Sequence, residues 1–127
     1  MTIARDSRTK SYIDDATVDG TAVTLYTCPP NCKSHMSLLY IGNSGANASD
    51  IQVSWYRAED TETHNILAGK NLAVGEFIQW SNAFIVLEPG DYISFTPSAT
   101  GGAGIPHIDC FCTVEEFFLP QQAGRVQ

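Results

Sequence analysis

Residues 50–58 read Asp-Ile-Gln-Val-Ser-Trp-Tyr-Arg-Ala, which is the cleanest alternation of apolar and polar side chains in the sequence. Ile51, Val53 and Trp55 fall on one face of an extended chain, because successive side chains of a strand point to opposite sides. The polar residues between them fall on the other face. The stretch therefore predicts a strand with one buried and one solvated face, as in an antiparallel sheet.

Similar short runs, rich in β-branched and aromatic residues, recur on both sides of this stretch with turn residues between them. They predict strands over residues 21–27, 33–41, 64–72, 76–80, 84–87, 92–96 and 107–118. In the second of these, Met36, Leu38 and Tyr40 are expected to share one face. No long segment places apolar residues at helical spacing. We therefore expect an all-β protein, an antiparallel, jelly-roll-like β-sandwich of about eight short strands.

The length of 127 residues suits one domain. We expect an N-terminal arm over residues 1–15, a sandwich over residues 16–119 and a C-terminal tail over residues 120–127. Arg5, Arg8 and Lys10 place three of the seven cations in the first ten residues. Such a segment favours an arm that reaches a neighbouring copy, and the alternative is a frayed, solvated terminus.

The charge of the chain argues against two classes of partner. At a formal net charge of −7, the protein would be repelled by nucleic-acid phosphates and by anionic membranes, so neither is expected as a partner. The sequence also shows no membrane-length apolar stretch and no signal peptide. We therefore expect synthesis and assembly in a cytosol, where cysteines stay reduced.

The four cysteines are the sharpest chemical feature. Cys28 and Cys32 frame a proline turn, and Cys110 and Cys112 point to one face of the last predicted strand. Four thiolates could bind zinc tetrahedrally, although the spacings Cys-x3-Cys and Cys-x-Cys differ from those of common zinc motifs. Small buried thiols are the favoured interpretation. Zinc and a disulfide between the two pairs are the alternatives.

No residue pattern indicates catalysis. His35, His64 and His107 lie on separate segments, and neither Gly-x-Ser-x-Gly nor His-Glu-x-x-His is present. His107 and Asp109 would share a strand face, but two ligands do not define a metal site. Adjacent carboxylates such as those of Glu115 and Glu116 point to opposite faces of a strand and are expected to be solvated. We predict no catalytic, cofactor-binding or metal-binding residue and no enzymatic activity.

Six segments, in this order, carry a resemblance to a known group of proteins. They are Leu25-Tyr26-Thr27-Cys28-Pro29, Tyr40-Ile41-Gly42-Asn43, Val53-Ser54-Trp55-Tyr56, Leu72-Ala73-Val74-Gly75-Glu76, Val86-Leu87-Glu88-Pro89-Gly90-Asp91 and Val114-Glu115-Glu116-Phe117-Phe118. With the predicted strands that contain them, they cover residues 21–118, and the chain resembles the small β-sandwich virion proteins of tailed phages.

The resemblance implies a structural role on a virion. The role expected first is a capsid decoration (cement) protein that self-associates, most simply as a trimer, and binds the major capsid protein. A tail or neck component bound to other tail or neck proteins is the alternative. The interface candidates are Arg5, Arg8, Lys10, Tyr12, Trp80, Phe84 and Arg125, because aromatic and arginine side chains anchor protein interfaces.

A carbohydrate-binding adsorption module is a further alternative of a different class. It would use Trp80, Tyr92 and the loop at residues 97–106 as a shallow sugar-stacking site.

Overall fold

The computed structural model describes residues 7–99 and 105–120, apart from the side chains at 83, 84 and 99. Eight strands lie in these residues: β1 (Ser7–Ala16), β2 (Val23–Thr27), β3 (Cys32–Asn43), β4 (Ser49–Arg57), β5 (Glu62–Leu72), β6 (Phe77–Leu87), β7 (Tyr92–Ala99) and β8 (Ile108–Phe118). Within the described part, no helix has the length and apolar character needed to cross a membrane.

The strands form two four-stranded antiparallel sheets. The first sheet has the order β1-β8-β3-β6, and the second has the order β2-β7-β4-β5. Strands β1 to β4 alternate between the two sheets. Each of the strands β5 to β8 then pairs with one or two of the strands β1 to β4. This is the strand order of a jelly roll. The predicted all-β sandwich is confirmed, including its jelly-roll character.

The core lies between the two sheets and follows the period-two patterns of the sequence. In β4, Ile51 and Val53 are fully buried. Trp55, the next residue on the same face of the strand, is partly buried and packs against the core. In β8, alternate positions from Ile108 to Glu116 are buried. Strand register is strongly specified here, because a slip of one residue would carry this whole set to the solvent face.

The predicted boundary between arm and sandwich is wrong. Residues 7–15 form most of β1, which pairs with β8 from Ser7 opposite Phe117 to Ala16 opposite Ile108. The strand is an edge strand whose inward positions carry Arg8 and Lys10, as expected where charge protects an exposed edge from further pairing. The sequence did not predict strand β1, because few of its residues are apolar. Residues 1–6 and 121–127 lie outside the described part of the chain.

The predicted face pattern of β3 is also corrected. The pairing of β3 with β8 shifts between Met36 and Leu38, so Ser37 is an extra residue in the strand. Such a bulge moves every later side chain to the opposite face. Met36 is therefore buried before the bulge, and Leu39 and Ile41 are buried after it.

Strand β6 is irregular at the same level. It runs continuously where the sequence predicted two strands over residues 76–80 and 84–87. Its pairing with β3 also shifts between Met36 and Leu38, and Asn82 adopts a φ of 71°. The Ser81-Asn82 dipeptide between these two predicted strands is thus part of a bulge inside one strand, since asparagine tolerates the left-handed region better than most residues.

Candidate interaction surface

A row of apolar side chains crosses the outward face of the first sheet. Its members are Ile13 on β1, Phe111 on β8, Tyr40 on β3 and Phe77 on β6, and we call it the aromatic row. The Tyr40 ring stacks on Phe111 with centroids 4.5 Å apart and on Phe77 with centroids 5.4 Å apart. Because β3 lies between β8 and β6, the two rings flank Tyr40 on opposite sides.

Gly42 makes room for this stack. A Cβ built on Gly42 would lie 2.6 Å from the Tyr40 hydroxyl and 3.0 Å from the ring. The Tyr40 ring therefore leans along β3 over Gly42, whose cross-strand partner is Phe77. Covering a strand glycine with a neighbouring aromatic ring is a known way of protecting the backbone of a sheet.

The row remains open to solvent. Ile13 is 75% exposed and Phe77 is 58% exposed, although isoleucine and phenylalanine are usually inside proteins. Beside the row lies an open depression of about 530 Å³, whose polar lining includes Asn43, Glu76, Gln79 and Asp109. An apolar centre with a polar rim is typical of a protein–protein contact surface.

Three cationic or aromatic candidates from the N-terminal segment lie on the inward side of β1. Arg8 forms an ion pair with Glu116 at 2.6 Å, and Tyr12 is half-buried with its hydroxyl 3.3 Å from the same carboxylate. Lys10 is exposed, with its ammonium 5.3 Å from the Tyr12 ring centroid. Arg8 and Tyr12 thus contact this chain's own core, and Lys10 is the most exposed side chain of the three.

The remaining candidates do not form one site. Trp80 is half-buried and packs against the core, so it is not the exposed anchor that the sequence suggested. Arg5, Arg125 and the side chain of Phe84 lie outside the described part. The predicted sugar-stacking site formed by Trp80 and Tyr92 is wrong, because Trp80 lies on β6 and Tyr92 on β7, which belong to different sheets. Tyr92 stacks instead on Tyr56 with centroids 4.8 Å apart.

Glu116 is the centre of a buried polar cluster that joins the two sheets. Its carboxylate is fully buried and accepts hydrogen bonds from Tyr26 Oη at 2.6 Å and from Arg8 Nε at 2.6 Å. Tyr26 in turn lies 2.7 Å from Ser34 Oγ. Since Tyr26 donates its single proton to Glu116, Ser34 donates to Tyr26. The expectation that Glu116 is a solvated charge is wrong, whereas the opposite orientation of Glu115 is confirmed.

The contacts of Glu116 decide its protonation. Burial alone raises the pKa of the Glu116 carboxyl, but the hydrogen bonds from Tyr26, Arg8 and Tyr12 and the charge of Arg8 outweigh burial, so the net shift in pKa is downward. Burial, reinforced by the hydrogen bond to Glu116, raises the pKa of Tyr26. The cluster is therefore a carboxylate held by neutral phenols and one guanidinium.

The cysteines are buried and lie in two separate places. Cys32 lies opposite Phe118 in the ladder, whereas Cys112 lies opposite Leu39. That offset along β8 corresponds to roughly 20 Å at about 3.3 Å per residue. Cys28 stays at the Cys32 end, with its sulfur 3.3 Å from the Cys32 carbonyl oxygen. The four thiols cannot surround one zinc ion, and no disulfide can join the two pairs.

The histidines are placed as the sequence suggested, on separate segments. Near His107, the hydroxyl of Ser44 donates to Asp109 Oδ2 at 2.7 Å and not to the imidazole. A nucleophilic serine needs its proton accepted by a base, so this group of residues lacks the arrangement of a hydrolase triad. Asp15 joins His107 and Asp109 here through the β1–β8 pairing. The sequence did not predict this contact, because residues 7–15 were expected to form an arm and not a strand.

Searches with the sequence found no matching family model and no matching curated protein. Solved structures do match. A structure of Bacillus endospore appendages, described as disulfide-linked pili, matches at 12% identity with a TM-score of 0.55, over 94% of this chain and 98% of that chain.

Two structures of infectious bursal disease virus also match. The Gx strain matches at 13% identity with a TM-score of 0.53, over 89% of this chain and 33% of that chain. An icosahedral particle of the same virus matches at 13% identity with a TM-score of 0.50, over 92% of this chain and 36% of that chain. This chain thus spans about a third of each viral chain. At these identities, the likeness shows a shared fold.

Proposed function

We propose that this protein is a structural subunit that works by binding other protein subunits, and that its site of action is a phage virion, where it decorates the capsid. The observation that carries the proposal is the aromatic row. A solvated sheet face would be expected to carry polar side chains, yet this one exposes Ile13 and Phe77 beside stacked rings. Burying them against a partner is favourable.

The fold is compatible with such a role. The same fold occurs in structures of a pilus and of virus particles, although fold alone does not determine function. The order of six sequence segments shared with small phage virion proteins is the support for placing the chain on a capsid. In that role the partner is the major capsid protein, and the chain itself self-associates as a trimer.

Light scattering after size-exclusion chromatography tests self-association directly. We expect the mass of a trimer for the full-length protein. A stable ring of six or more copies would favour the neck or tail, whose proteins assemble around an axis, over the capsid surface.

Co-sedimentation tests the capsid role. The full-length protein is mixed with particles assembled from the major capsid protein of the same genome and then centrifuged through a sucrose cushion. We expect the wild type in the pellet and the variants Ile13→Glu and Phe77→Glu in the supernatant, because each places a charge in the buried part of the contact.

Val18→Glu is the matched control for that experiment. Val18 is 60% exposed and lies in the turn between β1 and β2 rather than on the aromatic row, so this variant should sediment like the wild type. Equal sedimentation of Phe77→Glu and the wild type would overturn the proposed contact surface. A wild-type protein that binds tails but not capsids would overturn the capsid role alone.

The geometry of the aromatic row favours sugar binding less strongly than protein binding. A sugar stacks on the open face of an aromatic ring, but both faces of Tyr40 are covered by Phe111 and Phe77. Specific binding on a glycan array that is lost in Phe77→Glu would assign the surface to carbohydrate instead.

A further inference from the structure

We propose that Asp15, His107 and Asp109 form a binding site for a divalent transition-metal ion of the zinc type. The three residues come from two strands. Asp15 on β1 lies directly opposite Asp109 on β8, and His107 immediately precedes β8. The pairing register therefore places two carboxylates side by side and an imidazole above them, which is a ligand set that zinc uses in proteins.

The separations between the ligand atoms match those around a single ion. His107 Nε2 lies 3.5 Å from Asp15 Oδ2 and 3.5 Å from Asp109 Oδ1. Two ligands bound to zinc at about 2.0–2.2 Å with tetrahedral angles are roughly 3.3–3.6 Å apart. The ligand atoms of all three residues lie within 4.8 Å of one another, so a modest rotation of the exposed carboxylates completes three positions of a tetrahedron. The fourth position faces solvent.

A second layer of contacts orients these ligands. Ser44 donates its hydroxyl to Asp109 Oδ2 at 2.7 Å, which leaves Oδ1 directed at His107. The backbone nitrogen of Ser44 donates to the His107 carbonyl at 3.0 Å, and this bond fixes where β8 begins. Hydrogen bonds that orient a ligating carboxylate are characteristic of metal sites.

Electrostatics also favour a cation at this position. Like charges directly opposite each other on paired strands are destabilising. In the described part of the chain, the ion pairs of Asp15 and Asp109 are with His107 alone. A divalent ion between them would convert this repulsion into attraction.

A second group, Asp60, Glu62 and His64, provides an internal comparison. Its histidine–carboxylate separations are longer, 3.8 and 3.9 Å. Arg57 already pairs with Asp60 at 3.4 Å, so a metal ion would have to compete with a guanidinium. We assign no metal to this group, and it supplies the control variant.

Isothermal titration of zinc chloride into the full-length protein, after treatment with a chelator and dialysis, tests the proposal. We expect one ion per chain. His107→Ala and Asp15→Asn should each weaken binding about 10-fold or more, and Ser44→Ala should weaken it about 10-fold through loss of orientation. His64→Ala should bind like the wild type. All four positions are exposed, and equal thermal midpoints without metal would establish that the variants fold.

Cobalt absorption identifies the ligands independently. We expect the visible bands of a tetrahedral site without the intense near-ultraviolet band of a cobalt–thiolate bond, and we expect the visible bands to disappear in His107→Ala. A thiolate band would assign the ion to cysteine and overturn the proposal. Three other results would also overturn the proposal. They are a wild-type protein that binds no zinc, a His107→Ala variant with wild-type affinity, and a loss of binding in His64→Ala.

Discussion

Arg8 Nε donates to Glu116 Oε1 at 2.6 Å, from a side chain that is 41% exposed to one that is fully buried. The contact joins edge strand β1 to the interior of the sandwich. Because Glu116 also accepts a hydrogen bond from Tyr26 on β2, one carboxylate holds strands of both sheets.

Replacing Glu116 by alanine should lower the free energy of unfolding by about 3 kcal/mol, since it leaves buried hydroxyls short of a partner and opens a cavity. Glu115→Ala is the matched control. It lies next in sequence, points outward and accepts one hydrogen bond from Ser7, so its effect should stay within about 0.5 kcal/mol. Urea unfolding followed by tryptophan fluorescence measures both. Equal losses would contradict the central position of Glu116.

The cluster predicts how stability depends on pH. The folded pKa of Glu116 is lowered, so its contribution is fully present above the unfolded value, about 4.3 for glutamate. The contribution is lost as pH falls from there through the folded pKa. The wild type should therefore lose more stability than Glu116→Gln as the pH falls from about 5 to about 3. If the urea midpoints of the two proteins fell by the same amount over this pH range, this expectation would be contradicted.

The two tyrosines that contact Glu116 should contribute unequally. Tyr26→Phe removes a 2.6 Å bond to the carboxylate and the acceptor of Ser34, and should cost about 1.5–3 kcal/mol. Tyr12→Phe removes a longer bond of 3.3 Å at the half-buried edge and should cost less than about 1 kcal/mol. The same urea titration tests this order, and the reverse order would contradict the assignment of Tyr26 as the principal donor.

The thiols should be inert in the folded protein. Burial raises the pKa of Cys28, Cys32 and Cys110, and it raises that of Cys112 to about 12. Since the thiolate is the reactive form, Ellman's reagent at mildly alkaline pH should react slowly with the native protein. It should then react with all four thiols in denaturant. Rapid reaction in the native state, or fewer than four thiols in denaturant, would contradict this prediction.

The stack on the aromatic row depends on Gly42. Gly42→Ala places a Cβ 2.6 Å from the present position of the Tyr40 hydroxyl, so the ring must shift and its stacking on Phe77 and Phe111 is disturbed. Each aromatic pair contributes about 0.5–1.5 kcal/mol. Gly20→Ala is an instructive comparison, because space is open there but the φ of 75° is unfavourable for alanine. If the stack is as described, only Gly42→Ala will change the tyrosine signals in near-ultraviolet circular dichroism.

The sequence predicted most of the fold because most strands alternate regularly. The run containing Ile51 and Val53 shows its buried face directly. Strand β1 escaped prediction because an edge strand that buries little needs few apolar residues, and Tyr12 and Ala16 are its main inward contacts. The faces of β3 were assigned wrongly beyond Met36 because a bulge depends on the neighbouring strands and has no clear local signature.

The candidate sites were harder to predict, since pairing across the sheet creates them. Glu116 looks like a surface charge until Arg8 and Tyr26 are placed around it by strands more than eighty residues away. Asp15 is unremarkable until the register sets it opposite Asp109. Phe111 and Phe77 become neighbours of Tyr40 only after β8, β3 and β6 are placed side by side. Contacts of this kind depend on topology, which local patterns do not contain.

The pairing of Ser7 with Phe117 has a consequence for how the molecule can be handled. It brings the beginning of β1 and the end of β8 to the same corner of the sandwich. A short linker could connect the two strands there, and new termini could be opened at the exposed β4–β5 turn, where Thr61 has a φ of 52°. Such a circularly permuted chain would retain every strand pairing while moving an attached tag or cargo to another part of the surface.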